Sequence, residues 1–288
     1  MKPSKFEYHD PRTVDEAITV LAELGDEAKV LAGGQSLVPL LNFRLAYPEN
    51  LVDVNGIEEL DYLRADNGTL RIGAMCRQSK LAASDAVAQG WPLLSEAMTF
   101  VAHAQIRNRG TVGGSVAHAD PSAELPVAFT VLDTKFHVRS SRGDRMLTPD
   151  EFFVTHLTTA LEPDELLIEI EVAAPAKGSS FAFVEFARRH GDFALGGAAV
   201  NVVVGKKGKC ESAAIALLSA APTPIRASAA EAALVGKVLD ETAAKAAGEA
   251  TTGEVDPTGD IHATAEYRKH LLGVMVRRGV TSAAERAS

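Results

Sequence analysis

The sequence predicts an α+β protein, and three observations predict it. Two short apolar runs stop at glycine pairs, in Ala32-Gly33-Gly34-Gln35-Ser36 and Thr111-Val112-Gly113-Gly114-Ser115, where one element ends and another begins. Residues 135–139 and 166–172 alternate as half-buried strands do. Beyond residue 180, strand-like runs are followed by helical ones, which is the order of a segregated α+β unit.

Taken in order, residues 13–24 read as a helix. Thr13 is the expected N-cap, Glu16 completes a capping box, and Val14, Ala17, Ile18, Leu21 and Leu24 recur at helical spacing before Gly25. Residues 29–32 form a short buried strand, Gly33-Gly34 breaks it, and a helix begins within 35–43. Strand, glycine turn and helix start is the arrangement that leaves backbone N–H groups free for an anion. Residues 51–54 and 70–73 read as strands, and 79–88 and 92–101 as helices. The run 125–132 fits either helix or strand. Residues 175–180, Pro-Ala-Lys-Gly-Ser-Ser, have the composition of a linker. After it, 180–187, 198–204 and 213–219 read as antiparallel strands, and 225–234, 241–249 and 264–278 as helices, with 281–288 frayed. The division drawn is 1–177, with parts 1–57 and 58–177, and 178–288.

Composition narrows the function classes. The chain has 288 residues, 46% of them apolar, and a formal net charge of -9. That balance argues against non-specific nucleic-acid binding, which needs a basic face. The two cysteines, Cys76 and Cys210, are too few to hold an iron–sulfur cluster or a structural zinc, and are expected as packed, reduced thiols. No signal-peptide pattern and no apolar run long enough for a bilayer is visible, so the cytoplasm is the expected location. No Ser/His/Asp arrangement or metal-ligand spacing stands out, so neither catalytic nor metal-binding residues are assigned.

A double glycine usually only turns the chain. The second turn is more telling because of its surroundings, Gln105-Ile106-Arg107-Asn108-Arg109-Gly110-Thr111-Val112-Gly113-Gly114-Ser115-Val116-Ala117-His118-Ala119-Asp120-Pro121-Ser122-Ala123-Glu124. Small residues let a large planar ligand approach the backbone, and Asp120 and Glu124 could accept bonds from its hydroxyls. With Leu51-Val52-Asp53-Val54 and Ala187-Arg188-Arg189-His190-Gly191-Asp192-Phe193-Ala194, these stretches carry a resemblance that spans nearly the whole chain. The sequence resembles the medium, FAD-binding subunits of the molybdenum hydroxylases, the carbon monoxide dehydrogenase and xanthine dehydrogenase group.

The resemblance implies a two-subdomain FAD-binding domain of the PCMH type, then a three-stranded antiparallel sheet carrying a helical bundle. It implies that Ala32, Gly33, Gly34, Gln35, Ser36 and Leu37 wrap the FAD pyrophosphate, with Thr111, Gly114 and Ser115 as the second half of the cradle. Ala117, His118, Ala123 and Glu124 would line the ribityl and adenosine side, and Ile106 would also bind the cofactor. The backbone near Leu166 or Leu167 would face flavin or adenine, and Asp192 and Phe193 would lie by the isoalloxazine, the Phe193 ring covering one face. Two departures stand out. Ala102 and Ala104 occupy places where the family often has glycine and proline. Glu185 stands where the family often has lysine; turned inward it would oppose an anionic reduced flavin, and the other reading, the favoured one, is a solvated strand residue. Arg107 and Arg109 read as docking or surface charges, and Arg188 and Arg189 as partners for carboxylates.

Function follows from the resemblance: an electron-transfer flavoprotein subunit that takes electrons from two [2Fe–2S] clusters of a small partner subunit and passes them to an external acceptor. A large subunit with molybdenum cofactor would oxidise the substrate, in a heterotrimer that is commonly doubled. The alternatives are a self-contained FAD oxidase or dehydrogenase with its own organic substrate, which would need a positioned acid or base, and a non-enzymatic nucleotide-binding or assembly module.

Overall fold

A computed structural model describes residues 2–205 and 208–287. The first part is a three-stranded parallel sheet in the order β1-β3-β2, built from β1 (Glu7–His9), β2 (Ala28–Leu31) and β3 (Asn50–Asp53). Helix α1 (Val14–Leu24) crosses from β1 to β2, and buries Val14, Ala17, Ile18 and Leu21 as its spacing predicts. Thr13 caps it by accepting from Glu16 N at 3.2 Å. The expected capping box is altered, because the Glu16 carboxylate accepts from Arg12 N rather than from the cap residue. A short helix, α2 (Leu37–Asn42), follows the first glycine turn. It starts at Leu37, inside the predicted 35–43, because Gln35 and Ser36 remain in the turn.

The second part is a five-stranded antiparallel sheet in the order β4-β5-β10-β6-β7. Its first hairpin is β4 (Leu63–Asp66) and β5 (Thr69–Gly73). The chain then leaves for α3 (Gln78–Ala82), α4 (Asp85–Gly90), α5 (Pro92–Phe100), α6 (Ala104–Arg107), α7 (Val112–His118) and α8 (Glu124–Val131). The single helix expected over 79–88 is two, because Ser84 accepts from Val87 N and starts a new one. Every residue of α8 from Leu125 to Val131 is buried, so it carries no amphipathic period to distinguish it from a strand. The hairpin β6 (Thr134–Ser140) and β7 (Gly143–Leu147) returns to the sheet. A one-turn helix, α9 (Pro149–Phe152), and the small pair β8 (Phe153–Thr155) and β9 (Thr158–Thr159) lead to the central β10 (Leu166–Ala173).

The third part is an antiparallel sheet of β11 (Ser179–Phe186), β12 (Gly196–Val204) and β13 (Cys210–Leu218), with a two-residue edge strand, β14 (Ile225–Arg226), beside the three predicted. The start of the helix expected at 225 becomes that edge, and α10 (Ser228–Leu234) begins after it. Helices α11 (Glu241–Glu254) and α12 (Ala265–Ala287) complete the bundle. Residues 281–287 are helical rather than frayed, because Arg286 grips Glu96 of α5 at 2.7 and 2.8 Å and donates to Phe181 O at 2.6 Å.

The two faces of the third sheet serve different cores. Ala182, Ala198, Val200 and Leu217 pack under α10, α11 and α12. Phe181, Phe183, Ala199, Ala216 and Leu218 join the core of the five-stranded part, so apolar packing is continuous across the seam. Cys76 and Cys210 are buried free thiols, and burial pushes the Cys76 thiol up to about 12. Among the described residues, no helix is long and apolar enough to cross a membrane.

Candidate cofactor site

The two glycine turns meet. A Cβ on Gly33 would lie 2.5 Å from Arg109 O, 2.8 Å from Gly110 Cα and 3.0 Å from Thr111 N. Only a residue without a side chain allows this approach. A Cβ on Gly114 would lie 3.4 Å from the Ala32 methyl, so the second contact runs the other way. Gly34 has a φ of +73°, which turns the chain after β2.

A polar latch holds the turns together. Asn55 donates to Ala32 O at 2.7 Å and to Asp53 Oδ1 at 2.6 Å. Arg77 donates to Asn55 Oδ1 at 2.8 Å and to Arg109 O at 2.5 Å. Tyr8 OH donates to Asp53 Oδ2 at 2.5 Å. Burial alone would raise Asp53, but the bonds from Tyr8 and Asn55 outweigh it and hold the carboxyl below its ordinary range. Tyr8 is pushed up to about 12, first by its bond to Asp53. Sequence reasoning missed Asn55 and Arg77, since an asparagine after a strand and a lone arginine carry no motif.

The backbone of the first turn is unspent. The amides of Gly33, Gly34, Gln35, Ser36 and Leu37 have no acceptor among the described residues. Successive free N–H groups in a turn form an anion nest. The second turn behaves differently. Val112 N donates to Cys76 O, Gly113 N to Ala74 O, Gly114 N to the Thr111 hydroxyl and Ser115 N to Thr111 O. Thr111 is itself buried, with its hydroxyl capping Gly114 N, so the second turn offers a close-packed wall and the Ser115 hydroxyl rather than a run of free amides.

Two arginines, Arg77 and Arg109, stand together at the junction, with Asp53 and Asp61 near Arg77. Arg77 is held below its ordinary value, by burial first and then by the Arg109 guanidinium. Two arginines that repel each other beside unpaired amides suit a diphosphate, which would relieve both costs. The residues present fit FAD on these grounds.

Two models of known families match the chain: the FAD binding domain in molybdopterin dehydrogenase over residues 4–175, and the CO dehydrogenase flavoprotein C-terminal domain over 181–283. The chain belongs to the FAD-binding medium subunits of the molybdenum hydroxylases. It is 44% identical to the 6-hydroxypseudooxynicotine dehydrogenase complex subunit alpha of Paenarthrobacter nicotinovorans, covering 100% of this chain and 97% of that one. It is 39% identical to the carbon monoxide dehydrogenase medium chain of Hydrogenophaga pseudoflava, covering 98% of each. In three dimensions it matches a structure of carbon monoxide dehydrogenase from Hydrogenophaga pseudoflava lacking the Mo-pyranopterin moiety, with a TM-score of 0.96, 40% identity and full coverage of both chains. This medium subunit is an FAD-binding component of an oxidoreductase.

Other predicted positions in this medium subunit lie on α6, α7, α8 and β10 and in the loop after β11. Ile106 is partly buried in α6, its carbonyl accepting from Gly110 N. Ala117 is exposed on α7, and His118 ends that helix, held below its ordinary value by burial. Ala123 is the N-cap of α8 and Glu124 its first residue. Burial, then Asp120, pushes Glu124 up to about 7. The side chains of Leu166 and Leu167 are buried in two different cores, which leaves only their backbone for a ligand. Asp192 lies 4.0 Å from Arg188 in an ion pair, and Phe193 is 73% exposed, its ring clear of the protein.

Two readings need correction. Arg107 is a structural group rather than a docking charge, donating to Val101 O at 2.6 Å and Ala102 O at 3.1 Å. Glu185 is half-buried rather than fully solvated, with its Oε2 sealed from water and without a hydrogen-bond partner. It alternates with Phe181 and Phe183, and so faces the flavin-domain side of the sheet.

Proposed function

We propose that this chain carries the FAD of a multi-subunit molybdenum hydroxylase and is its electron exit. Electrons arrive from the [2Fe–2S] clusters of a small partner subunit and leave to an external acceptor, while a large subunit with molybdenum cofactor meets the substrate. The natural assembly is a dimer of heterotrimers in the cytoplasm, with the division of this chain at 177/178. The observation that carries this reading is the close approach of Gly33 to the Arg109–Thr111 backbone, with the free amides of residues 33–37 beside it.

Bound FAD supplies the ability to accept electrons singly and release them in pairs. The chain's part is to bind and orient. Residues Gly33 to Leu37 hold the diphosphate through main-chain N–H groups, with the Ser115 hydroxyl and the close-packed Thr111 opposite. Arg77 and Arg109 balance its charge. Ala32, Ile106, Gly114, Ala117, His118, Ala123 and Glu124 line the rest, with the backbone at Leu166 and Leu167, and Asp192 and Phe193 meet the flavin end.

The test is purification of the native protein with its neighbours. The expected result is a yellow chain with about one FAD, co-eluting with a molybdenum-containing chain and an iron–sulfur chain. A colourless chain, or turnover of an organic donor by this chain alone, would overturn the proposal.

A further inference from the structure

Ser219 follows β13 directly and stands in the left-handed region, with a φ of +57°. A side chain makes that conformation costly, and it persists only where the surroundings hold it. What holds Ser219 is a set of three bonds to two other segments. Its amide donates to Pro121 O at 2.8 Å. Its hydroxyl donates to Ala194 O at 2.8 Å. The Ser122 hydroxyl lies 2.9 Å from it. A hydroxyl has one proton, so with that of Ser219 spent on Ala194 the Ser122 hydroxyl is the donor of this last bond. Both serines are half-buried.

The two segments are remote in the chain and each is anchored separately. Ser122 is 97 residues before Ser219. It lies in the turn before α8, where Ser122 N donates to Asp120 Oδ1 at 2.8 Å and Ala123 N to Asp120 O at 3.0 Å. Ala194 lies at the end of the loop between β11 and β12. That loop is closed by Leu195 N, which donates to Phe186 O at 2.8 Å, and by the buried Arg268 of α12, which donates to Leu195 O at 2.9 Å. Ser122 falls in the stretch that matches the FAD binding domain, and Ala194 and Ser219 in the stretch that matches the C-terminal domain. Ser219 therefore ties one domain to the other.

The tied loops carry two outer parts of the proposed cofactor site. Ala123 and Glu124 follow Ser122, and Asp192 and Phe193 precede Ala194. We propose that Ser219 is a positioning residue for FAD, which sets the spacing between the ribityl side and the flavin end of the site before the cofactor arrives. This rests on the FAD reading above and gives the C-terminal domain a part in cofactor affinity. A loop already held in its bound arrangement need not be ordered on binding, so the tie strengthens affinity without touching the cofactor. A bond that served the fold alone would, when lost, lower Tm and leave FAD affinity unchanged.

The experiment uses the full-length chain, with any chains that co-elute, stripped of flavin and titrated with FAD. Flavin fluorescence reads affinity, and visible circular dichroism reads the surroundings of the bound flavin. Ser219→Gly removes the hydroxyl and relieves the positive φ, so its Tm should stay near that of the wild type. Ser122→Ala removes the partner hydroxyl and leaves the Ser219–Ala194 bond. Each variant should raise the FAD dissociation constant about three- to tenfold and change the dichroism. The double variant should be no worse than Ser219→Gly, because both remove one link. Unchanged affinity and dichroism in either variant, or effects that multiply in the double variant, overturn the inference and leave the FAD reading standing. Should Ser219→Gly not fold, Ser122→Ala decides by the same two readouts. A wild-type protein that binds no FAD overturns both.

Discussion

Arg77 donates to Asn55 at 2.8 Å and, through its other terminal nitrogen, to the carbonyl of Arg109. One guanidinium thus ties the loop that carries the second glycine turn to Asn55, after β3, which in turn holds Ala32 O at the first turn. Replacing it with methionine keeps the stem and removes both bonds. A charge-assisted bond is worth about 1.5–3 kcal/mol, so Arg77→Met should weaken FAD binding by roughly ten- to a hundredfold. Fluorescence titration of the stripped protein measures this.

Gly33→Ala tests the close approach itself. The added methyl would meet backbone atoms of Arg109, Gly110 and Thr111, which cannot rotate away. Overpacking of this kind costs about 1–3 kcal/mol. The variant should fold with a lower Tm and lose flavin on gel filtration. Retention of FAD at wild-type stoichiometry would contradict the proposed cradle.

Ala102 has a φ of +39°, where a Cβ is strained. A glycine there has no such cost. Ala102→Gly should therefore raise stability, by about 0.5–1 kcal/mol once the looser unfolded chain is counted. Urea denaturation reads the difference.

Glu124 and Glu185 set a pH dependence with a definite sign. Both carboxyls are raised in the folded protein, Glu124 to about 7 and Glu185 to about 8. The native state therefore holds more protons than the unfolded one between the ordinary glutamate range and pH 8. Their contribution to stability is complete below that ordinary range and is lost as pH climbs through 7 and 8. The Tm of the flavin-free chain should fall over this interval, and Glu185→Gln should flatten the fall. An equally steep fall in the variant would assign the dependence to other groups.

Much of this was legible in the sequence, for identifiable reasons. Helix α1 announced itself because one face is buried and the other wet, and a short turn binds it to β2. The glycine turns were legible because their geometry tolerates no side chain at Gly33. Helix α8 was ambiguous because burial on all sides erases periodicity. Asn55 and Arg77 were invisible because their role depends on three segments meeting, which spacing along one chain does not encode. The same applies to Glu185, whose Oε2 is sealed where helices from a distant segment pack on the third sheet. The end of α12 was misread because its anchor, Glu96, lies 190 residues away.

The hydrophobic packing shared by Phe181, Phe183 and Leu218 with the five-stranded part has a consequence for engineering. Cutting the gene near residue 177 would not release a tidy module. It would strip a greasy face bare on each fragment and orphan the Arg286–Glu96 clasp. Chimaeras between medium subunits should therefore exchange α5, α8 and β11 as a set, leaving the covalent hinge as the least important thing to preserve.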